Sequence, residues 1–144
     1  MEYSFERHRI IGGIGADEQF WAGLEEGAFQ LPQCSSCGKW TWPAHFRCGE
    51  CGSWEFKWTK IEPKGVIFSW TRSWYAFDRV KERADDIPYV TALVEIPEAD
   101  NVRVLGVLTG DETGLKIGAK VTGSIDPPSP KSKHYPSVRW AIDR

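Results

Sequence analysis

The chain has 144 residues and a formal net charge of −2, enough length for one compact domain with a small appendage but not for two full-sized domains. So small a charge supplies no general attraction to nucleic acid or to an anionic membrane surface, and no apolar run is long enough to span a bilayer. The opening Met1-Glu-Tyr-Ser-Phe-Glu-Arg-His8 lacks the charged-then-apolar order of a secretion leader, which makes the cytoplasm the expected compartment.

In chain order, residues 10–15 are apolar and glycine-rich without a helical or alternating period. They read as an arm, either a disordered tail or one ordered on a partner. Asp17 is placed to cap a helix that runs to Glu26 and stops at Gly27. Phe20, Trp21 and Leu24 share one side of it, while Glu18, Glu25 and Glu26 face water, the pattern of a docking helix. A strand then leads to the first cysteines, with Phe29 and Leu31 on a common face by period-two spacing.

Cys34-Ser-Ser-Cys37-Gly38 and Cys48-Gly-Glu-Cys51-Gly52 contain all four cysteines of the chain. Two Cys-x-x-Cys turns can each aim two sulfurs at one point, so Cys34, Cys37, Cys48 and Cys51 are the expected ligands of a structural Zn2+. A disulfide framework is the alternative, weakened by the lack of a secretion leader. A shell closed by four protein ligands has no open position for water or substrate, so the expected site holds structure and does no chemistry. Between the pairs, residues 39–47 read as a short hairpin carrying Trp40, Trp42 and Phe46; His45 is a spectator imidazole there. The alternation in Trp54-Glu-Phe-Lys-Trp58 reads as a half-exposed strand.

From Ile61 onward strands and turns dominate. Val66, Phe68 and Trp70 share one face of a strand, as do Val90, Ala92, Val94 and Ile96 of another. Residues 102–109 read as a strand buried on both sides, residues 120–125 as a fourth, and Val138, Trp140 and Ile142 align on the last. Five short strands suit a small closed barrel of the OB type rather than a β-sandwich, which usually needs more. The predicted fold is mainly β: an N-terminal arm and helix over 1–33, a zinc ribbon over 34–60 and an OB barrel over 61–144. Two connections, the charged 76–87 and the proline-rich 126–136, are too long for tight hairpins. They are either a binding mouth or solvated surface loops.

Phe20, Trp21, Leu24, Trp40, Trp42 and Trp54 exceed the apolar surface that so small a ribbon can cover, which marks them as candidate partner-binding residues. No catalytic residue is assigned. Every cysteine is committed to the metal, His8, His45 and His134 fall in irregular segments, and no nucleophile elbow or phosphate loop is present. The carboxylate pairs Asp85-Asp86 and Asp111-Glu112 sit at expected turns.

The ordered series Phe20-Trp21-Ala-Gly-Leu24, Cys34 to Cys37, Cys48 to Ser53, Gly65 to Thr71, Pro88 to Glu95 and Leu115 to Val121 resembles the DUF35 family, a zinc ribbon followed by an OB fold. The resemblance implies a noncatalytic partner of thiolase-superfamily enzymes that act on acyl-CoA thioesters, by retro-aldol cleavage such as steroid side-chain degradation, by Claisen condensation or by acyl transfer. It implies a hetero-oligomer with a thiolase-like subunit and acyl-CoA at the shared interface. The two long loops would then edge the acyl-CoA channel, through Arg79, Lys81, Lys131, Lys133, His134 and Tyr135. The alternative is a single-stranded nucleic-acid-binding ribbon and OB protein, for which residues 127–144 hold a local basic surplus. The net charge opposes that alternative, so neither nucleic acid nor a membrane is expected as partner.

Overall fold

The computed structural model describes residues 15–144. The arm expected over 10–15 therefore lies, apart from Gly15, outside the described residues.

Helix α1, Glu18–Glu25, buries Phe20, Gly23 and Leu24. Asp17 stands at its N-cap but makes no side-chain cap hydrogen bond; its carboxylate instead accepts the Trp21 indole N–H at 3.0 Å. The expected cap is thus redirected to the larger donor one turn on. At the other end Gly27 adopts φ +79, the Ala28 amide bonds the Gly23 carbonyl at 2.8 Å, and the Gly27 amide bonds that of Leu24 at 3.0 Å. This closure needs a left-handed residue and explains why glycine ends the helix.

Strands β1, Gln30–Cys34, and β2, Phe56–Lys60, pair antiparallel with Gln30 opposite Lys60 and Cys34 opposite Phe56. Phe29 and Leu31 are both buried, as their spacing predicts. The hairpin expected over 39–47 does not form. Its one ladder contact is a bridge from Gln33 to Trp40, and bends and irregular chain occupy the rest. Pro43 within it cannot donate to a ladder.

Strands β3 (Lys64–Ser73), β4 (Tyr89–Ile96), β5 (Val102–Leu108), β6 (Lys120–Asp126) and β7 (Ser137–Ile142) close a barrel in the order β3-β4-β5-β7-β6. Only β5 and β7 run parallel, meeting at Val107 with Arg139 and Leu108 with Trp140. Five strands closed with this crossover form an OB-type barrel. The β4 alternation is realised in full: Val90, Ala92, Val94 and Ile96 are all buried. Two other strands differ from expectation. In β3 Gly65 and Ile67 turn inward while Phe68 faces out, and the register shift between Ile67 and Ser69 brings Trp70 opposite the buried Ala92. In β5 only Val104 and Leu108 are buried, and Leu105 is 63% exposed. Apolar composition alone could not separate its two faces.

Trp140 is fully buried and is admitted by two glycines. A Cβ on Gly106 would sit 2.7 Å from its ring, and one on Gly123 2.9 Å from it. Phe20, Leu24, Phe29 and Leu31 belong to the same apolar cluster as the barrel interior, and Phe29 meets Trp140 edge-on at 6.3 Å between centroids. Helix, ribbon and barrel therefore share one core.

Candidate metal centre and cleft

Strand β1 delivers Cys34 to the first turn, where the Cys34 amide bonds the Lys39 carbonyl at 2.8 Å and Gly38 returns its amide to the Cys34 carbonyl at 2.9 Å. The second turn repeats the arrangement: the Cys48 amide bonds Ser53 at 2.8 Å, and the Gly52 amide bonds Cys48 at 3.0 Å. Gly38 and Gly52 both adopt φ +79, a conformation costly with a Cβ. The two turns are further joined by the Lys39 to Glu50 ion pair and by Ser36 to Ser53 at 3.0 Å.

All four sulfurs lie within 4.8 Å of one another. Cys34 and Cys51, and Cys37 and Cys48, approach to 3.6 Å, far beyond a disulfide bond and close to the edge of about 3.8 Å expected for a tetrahedron with zinc–sulfur bonds near 2.3 Å. His45 is outside this cluster. Backbone amides, Cys37's above all, draw the Cys34 thiol down to about 6, and the Cys51 and Glu50 amides lower that of Cys48. Cys37 goes the other way: the Lys39 amide favours its thiolate, but desolvation and the neighbouring sulfurs push it up to about 12. To hold all four as thiolates this closely would take a cation between them. The residues fit a four-cysteine metal site.

The second feature is a cleft of about 800 Å³ between the helix and ribbon on one side and the outer face of β4, β5 and β7 on the other. Leu93, Leu105 and Val107 floor it, Trp21, Trp42 and Pro43 wall it, and Arg83, Arg103 and Arg139 supply charge without a lining carboxylate. An apolar cavity of this size with a few polar groups is typical of a small-molecule site. Each arginine has a carboxylate outside the lining: Asp86 at 3.8 Å, Glu95 at 3.2 Å and Asp126 at 3.4 Å.

The structure divides the six expected partner-binding residues. Phe20 and Leu24 point into the chain's own core, because the helix docks on β1 and the barrel, and they are not surface groups. Phe20 packs on Trp42 at 4.3 Å between ring centroids, the rings tilted by 45°. Trp21, Trp40 and Trp42 are half-buried against that core, and Trp21 meets Tyr135 edge-on at 5.1 Å. Only Trp54 is largely exposed, at 69%, with the Arg47 guanidinium over its ring. Absent from the expected set are Trp74, Tyr75 and Phe77, 65–70% exposed on the loop after β3. An aromatic run continuing past a strand's end into a charged loop was the signal for them.

The expected channel residues are also redistributed. Arg79 and Lys81 are exposed. Lys131 bonds Asp86 at 2.6 Å, and Lys133 bonds Glu82 at 2.9 Å, so both lysines face the opposite loop. His134 is exposed and Tyr135 is buried. Of the cleft arginines, Arg139 counts in the basic surplus of 127–144, whereas Arg83 and Arg103 are not candidates in the sequence, because each of the three comes from a different element.

Comparison with known proteins gives two consecutive family matches: the ChsH2 rubredoxin-like zinc ribbon domain over 21–56 and the ChsH2 C-terminal OB-fold domain over 58–126. No curated protein matches by sequence. Among solved structures, one described as "Ltp2-ChsH2(DUF35) aldolase" is similar with a TM-score of 0.72 and 20% identity, over 88% of this chain and 94% of that one. A DUF35-family protein of unknown function from Sulfolobus solfataricus is similar with a TM-score of 0.58 and 23% identity, over 96% and 92%.

Proposed function

Since the chain belongs to the DUF35 family, with a ChsH2-type zinc ribbon and OB-fold domain in succession, we propose that it is the noncatalytic accessory subunit of a thiolase-superfamily enzyme acting on acyl-CoA thioesters. The observation that carries this reading is the likeness, over 88% of the chain, to a chain of the structure described as "Ltp2-ChsH2(DUF35) aldolase". Among carbon–carbon bond cleavage, Claisen condensation and acyl transfer, the same likeness favours cleavage. No helix among the described residues is long and apolar enough to cross a membrane.

Zinc held by Cys34, Cys37, Cys48 and Cys51 would supply cohesion alone, since four protein ligands complete its shell. The side of the ribbon bearing Trp54 and the loop bearing Trp74, Tyr75 and Phe77 offer the large exposed aromatics that protein interfaces favour. The cleft is the place for part of the thioester: Leu93, Leu105 and Val107 suit an acyl or pantetheine chain, and the lining arginines suit anionic or carbonyl oxygens.

The test is co-expression with thiolase-like subunits, followed by co-purification and turnover assays. A stable complex that turns over thioester, with neither chain active alone, is the expected result. Thioester turnover by this chain alone, or failure to assemble with any such subunit, would overturn the proposal.

A further inference from the structure

The loop of 76–88 and that of 127–136 meet at one end of the cleft. Arg83, the last residue of the 3-10 turn Asp78–Arg83, lines the cleft, and Trp21, one of its walls, rests on Tyr135 of the other loop. Neither Asp78–Arg83 nor the 3-10 turn Pro130–Ser132 contains a buried residue. What joins them is charge: Lys131 with Asp86 and Lys133 with Glu82, at side-chain exposures of 29–48%. Such half-exposed pairs are weak and screened by salt.

The second loop also bears strain. Lys133 and His134 both adopt the left-handed region, at φ 55 and 65, which residues with a Cβ enter at a cost. Beyond them the chain is anchored, since Tyr135 and Pro136 are buried. The first loop is anchored where Arg83 lies 5.4 Å over the Tyr89 ring at the start of β4. Two surface segments thus hang between fixed ends and touch through ions.

We propose that these loops form an ion-pair latch across one end of the cleft, opened when an outside anion, such as a phosphate-bearing ligand, takes Lys131 and Lys133 from Asp86 and Glu82. The cleft is the ligand site of the preceding section, but the latch is testable without partner or thioester. In the closed state the lysines are neutralised, so they attract an anion only as the loops part, and binding is coupled to opening.

Hydrogen exchange of the full chain reads the latch directly. Lys131→Ala with Lys133→Ala should speed exchange over 76–88 and 127–134 by roughly tenfold and leave β4 unchanged. Inorganic pyrophosphate should do the same to the unmodified chain and nothing further to the double variant. Exchanging the charges, Glu82→Lys with Lys133→Glu, should restore slow exchange that Lys133→Glu alone has lost. Unchanged loop exchange in the double alanine variant, no response to pyrophosphate, or no recovery in the charge exchange would each overturn the latch. None of these outcomes touches the accessory-subunit reading, which fails only if no complex forms or this chain acts alone.

Discussion

The metal centre and the loop end of the barrel both pin irregular chain, by opposite means. At the ribbon, four sulfurs lie within 4.8 Å, each turn is closed by its own backbone hydrogen bonds, and the four ligand atoms offer a cation a closed shell. At the loops, ion pairs open to water do the holding, with no buried residue in either 3-10 turn. Rigidity is therefore expected at the ribbon and movement at the loops. A closed metal shell contributes folding free energy outright, whereas surface pairs supply little and yield to salt.

Loss of the metal site should have the greatest consequence. Cys37→Ser, or a chelator, should remove metal binding worth on the order of 10 kcal/mol to a zinc ribbon. The knuckles should unfold, while the barrel, which shares Phe29 and Leu31 with them, should lose stability but survive in part. Metal analysis and circular dichroism check this. A stable, metal-free chain with two disulfides would erase the contrast.

The next probes the core beneath both regions. Gly106→Ala would place a Cβ 2.6 Å from the Val138 carbonyl oxygen and 2.7 Å from Trp140, an overpacking that should cost about 1–3 kcal/mol in urea unfolding. On the surface, Trp74→Ala or Trp54→Ala should weaken the hetero-complex by roughly 2 kcal/mol in a titration while leaving the isolated chain's melting unchanged. Unimpaired assembly in both would move the interface elsewhere.

The smallest effect sharpens the weak side. The Lys133 ammonium beside Glu82 holds its carboxyl below the usual value of 4.5. Because the folded value is depressed, the stabilisation is fully present above the ordinary 4.5 and is lost as pH falls through the lower, folded value. Followed by NMR in acid, the loop resonances should therefore hold until pH has fallen below 4.5 and then change as Glu82 protonates, while the buried β4 residues Val90, Ala92 and Val94 keep theirs. Single-stranded oligonucleotides should bind no tighter than about 10⁻⁴ to 10⁻⁶ M in physiological salt, since cleft arginines Arg103 and Arg139 are paired with Glu95 and Asp126.

Features that depend on spacing along one segment were readable from the residues alone. The paired Cys-x-x-Cys-Gly turns, the glycine that ends α1 and the strict alternation of β4 were all legible, because period and turn chemistry are local. So was the number of barrel strands. The tertiary structure decided everything that requires distant segments to meet. Phe20 and Leu24 read as an outward face until the barrel supplied a surface for them to enter. Lys131 and Lys133 read as free cations until the loops brought Asp86 and Glu82 within 2.9 Å. The cleft draws its arginines from a loop, β5 and β7, and the β3 register shift depends on how that strand pairs with β4. Burial and charge pairing are set by which distant residues become neighbours, and no spacing within one segment encodes that.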